Sequence, residues 1–428
     1  MTLTAPLPTA GAAPTTAAAK IFNHPRNAWY VAAWDYEVTG KQPLARTVAG
    51  VPLALWRNSE GRAVALADAC WHRLAPLSQG KILGNELQCP YHGLRYNSSG
   101  RCTAMPAQQT INPSAVVPSY PVVERYRYVW VWVGDPDLAD PATVPDMHQM
   151  DDPGWAGDGE TIHADCNYQL VLDNLMDLTH EEFVHSSSIG QEELSEAEFD
   201  VVHEGNTVTV TRWMRDIEAP PFWLKNMRDK FPGFEGKVDR WQIIRFEAPS
   251  TICIDVGVAK AGTGAPEGDR SQGVNGYVMN TITPETDRTC HYFWAFMRNY
   301  CLDSQTITTQ LRQSVHGVFA EDEDMLRAQQ RAIDANPEHE FYSLNIDAGD
   351  VGAPDPGADA GCRGSALGGS RSRAGVLMAV QSQSRWQRAK VVEADYVADG
   401  VRRIVLEVER PEHAAPGTHV DVELRVHG

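Results

Sequence analysis

Cysteine is scarce, with eight in 428 residues. A disulfide-stapled secreted scaffold has a far higher density, so these thiols are left for metal ligation or a reduced core. Long apolar runs are missing as well. Without a run of about 18 hydrophobic residues no helix spans a membrane. Basic side chains are outnumbered, 37 Lys and Arg against 56 Asp and Glu, for a net charge of −19. A surface this acidic repels polyphosphate and argues against nucleic acid as a partner. Residues 1–20 are Ala, Thr and Pro with no basic start and no large-apolar stretch. They read as a tail rather than a secretory leader, and the chain is expected to be cytoplasmic.

What is present divides unevenly along the chain. Its length predicts two or more domains. Residues 21–150 carry strand signals: Val51–Trp56 and Ala63–Leu66 flank the turn Asn58–Gly61, and Tyr128–Val133 is a β-branched and aromatic run closed by Gly134-Asp135-Pro136. Residues 151–347 mix types. Helical spacing runs over Tyr168–Val184, with Leu172, Leu175, Met176 and Phe183 on the apolar positions. Strand-like stretches follow at Thr207–Met214, Trp241–Phe246, Thr251–Val258, Gly276–Thr283 and Cys290–Met297. A long helix fits Ser304–Ala335 and is stopped by Asn336-Pro337. The expected fold class is α+β, an N-terminal all-β domain followed by a mixed domain. Residues 348–378 have a linker's composition, and 379–428 hold only short strand-like runs, Ala389–Val392, Arg403–Val408 and Thr418–Leu424.

The strongest chemical signal is a pair of loops, Cys70-Trp71-His72 and Cys89-Pro90-Tyr91-His92. Each offers one thiolate and one imidazole. A structural zinc site accepts two cysteines and two histidines, but such sites usually pair Cys with Cys and His with His in sequence. A Rieske two-iron, two-sulfur cluster needs the mixed pattern, because both cysteines bind one iron and both histidines the other.

With these loops on the page, the chain resembles the Rieske non-haem iron oxygenases. The resemblance is to the aromatic-acid O-demethylases of the vanillate and dicamba type and covers roughly residues 25–347. Besides the loops it rests on NAWYVAAW, DNLMDLTHEEFVHSSSIGQ, APPFW, FAEDEDMLRAQQ and LNIDAG. Trp71 stands where Pro is common in these loops and Leu74 where Gly is common; neither is a ligand. The resemblance implies a helix-grip (START-like) catalytic domain built on an antiparallel sheet. It implies a homotrimer and electrons from a separate NAD(P)H-dependent flavin/ferredoxin-type reductase. It further implies O₂-dependent hydroxylation of a methoxy carbon, whose hemiacetal collapses to a phenol and formaldehyde. Hydroxylation of another aromatic carboxylate or sulfonate, and a non-catalytic Rieske electron carrier, remain open.

A second site is expected around His180 and His185. The spacing H-x₄-H is weak by itself, but Asn174, Asp177 and His180 fall at i, i+3 and i+6 on one face of the expected helix. Buried carboxylate and imidazole groups without partners are costly, and a metal ion removes that cost. Two histidines and one carboxylate make the facial triad of iron(II) oxygenases, with three positions left open. The acidic run Glu321–Asp324 supplies the carboxylate. Ile307, Leu311, Val315, Val318 and Leu326 form a helical stripe that contains Asp322, while Glu323 and Asp324 fall to a solvated face. The family's ligand also aligns with Asp322. By resemblance, Asp177 links a Rieske histidine of one subunit to an iron-ligating histidine of its neighbour, along His92–Asp177–His180. Asn174 and Asp177 are thus the catalytic candidates beside the metal.

The expected substrate pocket contains His291, placed by alternation on one face with Phe293 and Ala295, where the resembling dicamba enzyme meets its substrate carboxylate. Asn275 and Trp241 are its other candidates. A satisfied core histidine is the competing reading of His291. Last, Trp386–Leu424 resembles the opening strands of the flavin-dependent phthalate-type reductases. Neither an Arg-x-Tyr-Ser flavin segment nor a C-x₄-C-x₂-C ferredoxin run accompanies it. This stretch is expected to add no activity and to be poorly ordered or loosely docked, with a fusion or reading-frame junction near Asp350.

Overall fold

The computed structural model describes residues 24–341, apart from 107, 187, 192, 198 and 340, together with the backbone of two strands, Ala389–Ala398 and Val401–Val408. The expected tail over 1–20, the linker over 348–378 and most of the reductase-like stretch lie outside the described residues. The two C-terminal strands pair with each other, antiparallel, Ala389 opposite Val408.

The N-terminal β domain is three small sheets. Ala28–Trp34 pairs with Tyr128–Val133, which pairs with Val122–Arg125. The expected hairpin is there as Val51–Arg57 against Ala63–Ala67, flanked by Leu44–Val48 and Ser119–Tyr120. The third sheet runs Lys81–Leu83, Glu86–Gln88, Arg95–Asn97 and Cys102–Ala104. Its core is apolar and small-residue rich, with Ala54, Trp56, Leu66, Leu77, Leu87 and Tyr96 buried under the two Cys/His loops.

The second domain is a seven-stranded antiparallel sheet. Its order in space is Ala156–Ala164, Thr289–Arg298, Gly273–Thr286, Thr251–Lys260, Val238–Glu247, Thr207–Ile217 and Phe199–Glu204. Alternation makes it two-faced. Cys290, Tyr292, Trp294 and Phe296 face the helices, where Leu311, Val315, Phe319 and Leu326 of the long helix meet them. Phe293, Ala295 and Met297 face the N-terminal domain and join Trp34, Tyr128 and Trp130 in one core. Polar links fasten the same seam: Thr283 Oγ1 donates to the Val31 carbonyl at 2.6 Å, and Trp34 Nε1 to Thr161 Oγ1 at 3.0 Å. The long helix spans Gln305–Ala335, with Ser304 accepting at its N-terminus from Ile307 N. No described helix is long and apolar enough to cross a membrane.

One expectation changes, and one strand has no signal in the sequence. The helix over Tyr168–Val184 is not continuous. It runs Tyr168–Met176, breaks at Asp177, and resumes as the short turns Leu178–His180 and Glu181–Val184. Asp177 takes an extended conformation, and its carboxylate accepts from Thr179 N and Thr179 Oγ1, each at 2.9 Å. This local side-chain bond competes with the helical ladder and wins. Phe183, expected on the apolar face, is exposed as a result. The edge strand Ala156–Ala164 carries no strand pattern, and its glycines explain it: a Cβ at Gly159 would lie 1.9 Å from the Trp294 carbonyl oxygen.

Candidate active site: a Cys/His loop pair and a two-histidine, one-carboxylate cluster

The two Cys/His loops are built alike. Cys70 N donates to the Ala75 carbonyl and Leu74 N returns to the Cys70 carbonyl; Cys89 N donates to the Leu94 carbonyl and Gly93 N to the Cys89 carbonyl. Leu74 and Gly93 occupy matching places, and both have positive φ, 56° and 74°. The sulfurs lie inward, Cys70 and Cys89 being buried, whereas His72 and His92 are exposed at the tip with ring centroids 4.7 Å apart. Neither thiol is in a disulfide. Burial pushes the Cys89 thiol up, so a thiolate at this depth would need a metal to hold it ionised. Cysteines inside and histidines outside fit a cluster whose two irons take different ligands. Tyr96, which sequence reasoning missed, places its hydroxyl 3.1 Å from Cys70 Sγ and accepts from Trp71 N at 3.2 Å.

The second cluster gathers His180, His185 and Asp322, whose ligand atoms all lie within 4.8 Å of one another. The break at Asp177 brings this about by turning the chain so that both imidazoles reach the long helix. His185 Nε2 is 3.1 Å and His180 Nε2 3.4 Å from Asp322 Oδ1. Asn174 Nδ2 donates to the same oxygen at 3.2 Å. The far ring nitrogens are also held. His180 Nδ1 meets the Asp177 carbonyl at 2.6 Å, and His185 Nδ1 meets Glu321 Oε2 at 2.7 Å. Anchoring Nδ1 leaves both Nε2 atoms aimed at one point, the usual support of a metal-ligating histidine. Glu321 was not singled out from sequence; it shares the acidic run with Asp322 and no periodicity separates a partner of histidine from a solvated carboxylate. Asp324 faces solvent as expected, whereas Glu323 is half-buried against Arg327.

Electrostatics agree with a cation site. Burial acts to raise the Asp322 carboxyl, but hydrogen bonds from His180 and His185 outweigh it and hold it at about 2. Burial lowers His185 in turn, and Asp322 and Glu321 override that to bring it to about 9. Two buried groups and the half-buried His180, with this mutual dependence, are donors suited to a divalent metal.

The cluster sits at a cavity lined mostly by apolar side chains, among them Phe222, Trp223, Ile254, Val278, Phe296 and Phe319. None of the three residues expected to bind substrate lines it. His291, one register from Tyr292, lies on the sheet face that meets the N-terminal domain, 5.3 Å from His163 ring to ring. Burial, and then the charge of Arg46, lower it to about 4, so it is a neutral core histidine. Trp241 Nε1 donates to Asp255 Oδ1 at 2.9 Å, and Asn275 Nδ2 to the same oxygen at 2.9 Å. Both serve an Asp255–Arg270 network away from the cavity. The residues of that strand on the cavity are instead Arg240 and Gln242, the neighbours of Trp241. With a period of two, an error of one position changes face.

A β domain that presents a Cys/His loop pair and an α+β domain that holds two histidines and a carboxylate against an apolar cavity together define the class: an iron-dependent oxygenase with a Rieske [2Fe-2S] cluster and a separate non-haem iron centre. Comparison with known proteins agrees. Residues 28–121 match the Rieske [2Fe-2S] domain and residues 164–353 the vanillate O-demethylase oxygenase C-terminal domain. The vanillate O-demethylase oxygenase subunit of Pseudomonas sp. (strain HR199 / DSM 7063) is 44% identical over 327 residues, 76% of this chain and 92% of that one. The iron-sulfur subunit of the toluene-4-sulfonate monooxygenase system of Comamonas testosteroni is 39% identical over 330 residues, 76% and 93% of the two chains. A crystal structure of dicamba monooxygenase bound to 3,6-dichlorosalicylic acid superposes with a TM-score of 0.71 at 35% identity, covering 77% of this chain and 95% of that one. The chain belongs to the vanillate O-demethylase oxygenase family of Rieske oxygenases.

Proposed function

We propose that this chain is the terminal component that O-demethylates a methoxylated aromatic acid such as vanillate, releasing the phenol and formaldehyde, with electrons from a separate NAD(P)H reductase. The observation that carries the reading is the apolar cavity bounded on one side by His180, His185 and Asp322. Cys70 and Cys89 hold one iron of the cluster, and His72 and His92 the other. His180, His185 and Asp322 hold the mononuclear iron. That iron, when bound, supplies the oxidising power for O₂-dependent hydroxylation. The chain does the rest. Asp177 and Glu321 fix the imidazoles, Asn174 holds Asp322 Oδ1, and the aromatic walls orient a flat ring and exclude water.

The oxygenase works as a trimer in this reading. Trp71, Leu74 and Tyr91 are exposed beside His72 and His92, and Phe183 is exposed beside His180. Apolar groups left open at both sites suit one subunit's cluster tip seated on its neighbour's iron site, with Asp177 reaching His92 across the boundary. Asp177 is tied to His180 through its backbone carbonyl, and its carboxylate, held by Thr179 and within electrostatic reach of Arg212, is the group this reading assigns to the contact between subunits.

The test is formaldehyde release by the reconstituted system from vanillate, alongside 4-toluenesulfonate and oxygen uptake, with iron content measured on the same sample. Three irons per chain and formaldehyde from vanillate support the reading. Hydroxylation of the sulfonate methyl without formaldehyde from vanillate overturns the demethylase assignment, and two irons per chain overturns the oxygenase.

A further inference from the structure

The side chain of Gln242 is used on one side only. It is 1% exposed and lines the cavity beside the His180, His185 and Asp322 cluster. Its Nε2 donates to both oxygens of Glu181, at 2.9 and 3.1 Å. Arg240, two residues away on the same face of the strand, donates from Nη2 to Glu181 Oε2 at 2.9 Å, and from Nη1 to the Ile189 carbonyl and Gln191 Oε1. An ionised carboxylate only accepts hydrogen bonds. Turning the amide over would set its oxygen against Glu181, so the NH₂ group must face Glu181 and the carbonyl oxygen must face away. That oxygen, Oε1, is buried and has no hydrogen-bond partner. Buried acceptors are rarely left so, because nothing repays their lost hydration.

The surroundings say what would fill the gap. Arg240 matches the charge of Glu181, and the two are buried together; the buried Arg212, opposite Gln242 across the strands, is met by Asp177 as well as Glu181, so charges of both signs balance at this end of the cavity. Arg240 Nε is likewise buried without a partner. A carboxylate or sulfonate placed here would bring acceptors against Gln242 Oε1 and the Glu181 charge. A phenolic hydroxyl can donate to Oε1.

We propose that Gln242 Oε1, pinned by the Glu181–Arg240 pair, accepts a hydrogen bond from a ring hydroxyl of the substrate, and that Gln242 thereby selects phenols over rings that lack the hydroxyl. The acid group of such a ring then points away from Glu181. This rests on the aromatic-substrate reading above and deepens it.

Binding to the iron-loaded oxygenase without reductase separates the two. Titration calorimetry would compare 4-hydroxy-3-methoxybenzoate with 3-methoxybenzoate, in the wild type and in Gln242→Met, which keeps the length and removes the acceptor. The wild type is expected to bind the hydroxylated acid about 10- to 100-fold more tightly, and Gln242→Met to bring that ratio close to one. The same ratio in both proteins overturns the proposal. Should Gln242→Met fail to assemble, as judged from its cluster spectrum and iron content, Glu181→Gln decides. It frees the amide to turn and is expected to lower the ratio severalfold, and an unchanged ratio counts against the proposal. If neither acid binds the wild type, the aromatic-acid reading falls by itself. Then 2-methoxyphenol against methoxybenzene tests Gln242: a preference for the phenol that Gln242→Met abolishes supports it, and equal binding overturns it.

Discussion

Leu74 and Gly93 do the same backbone job in the two cluster loops, and only one of them is the residue suited to it. A left-handed φ costs a non-glycine residue about 1 kcal/mol or more, and Leu74 gains no burial in return, being 74% exposed. The strain is intelligible where the side chain serves a contact outside the chain, as the trimer reading supplies. The neighbouring Tyr96 touches Cys70, a proposed cluster ligand. A hydroxyl donating to the Cys70 sulfur favours the more negative, reduced state. Tyr96→Phe is therefore expected to lower the reduction potential by on the order of 60 mV, the one-electron equivalent of about 1.4 kcal/mol, read by redox titration of the reduced cluster's spin-resonance signal. His291 makes the opposite kind of prediction, about stability alone. Its folded value of about 4 lies below the ordinary 6.5, so between those values the unfolded chain binds the extra proton. Stability then falls as pH drops through that window, by up to about 1.4 kcal/mol per pH unit. Melting temperatures from pH 6.5 to 4.5 should fall less steeply for His291→Asn than for the wild type. Of these residues the ligand candidates were legible, because Cys, His and Asp at fixed spacing carry their chemistry openly. Tyr96 and Glu321 were not, since a hydroxyl or carboxylate that supports a ligand has no spacing rule.

At the scale of elements, the strands expected among the described residues and the long helix are there, while Thr418–Leu424 lies outside the described residues; the departures come where local chemistry overrides periodicity. The apolar spacing of Tyr168–Val184 continues past Asp177, yet the Asp177 carboxylate caps Thr179 and ends the first helix. The break shapes the candidate metal site, for a straight helix would not bring His180 and His185 to Asp322 with both Nδ1 atoms occupied. Asp177→Asn separates the two jobs of this residue. Asparagine caps a helix as well as aspartate does, so both metals should stay bound while the charge proposed to link subunits is lost. Turnover should fall about 10- to 100-fold, in the range for groups supporting a metal ligand; full turnover with both metals present would remove Asp177 from the electron path. The strand Val238–Glu247 shows the reverse limit. It is a recognisable strand, but whether Trp241 or its neighbours Arg240 and Gln242 reach the cavity depends on which face the helices cover, and alternation is indifferent to that.

For the whole molecule, the catalytic unit is one continuous structure because a single sheet serves two cores. One face meets the long helix and the cavity, and the other meets the N-terminal domain. The two C-terminal strands belong to a separate unit, residues 361–428. The matched family domains end at residue 353, and the Pseudomonas vanillate O-demethylase subunit is covered over 92% of its length by 76% of this chain. A chain ending at Ala360 is accordingly expected to keep the iron content and oxygen uptake of the full protein, measured side by side; loss of either would give residues 361–428 a role. The sequence alone determined the class: two Cys/His loops, an H-x₄-H pair and an acidic run on an apolar stripe admit few other chemistries, because metals demand particular donor atoms in particular numbers. The tertiary structure decided the pocket. His291, Asn275 and Trp241 face away from it, while Arg240, Gln242 and Glu181 meet there from segments about 60 residues apart. Donor type is a property of a residue, but which side chains share a cavity is a property of how a sheet's two faces are covered, and only packing settles that.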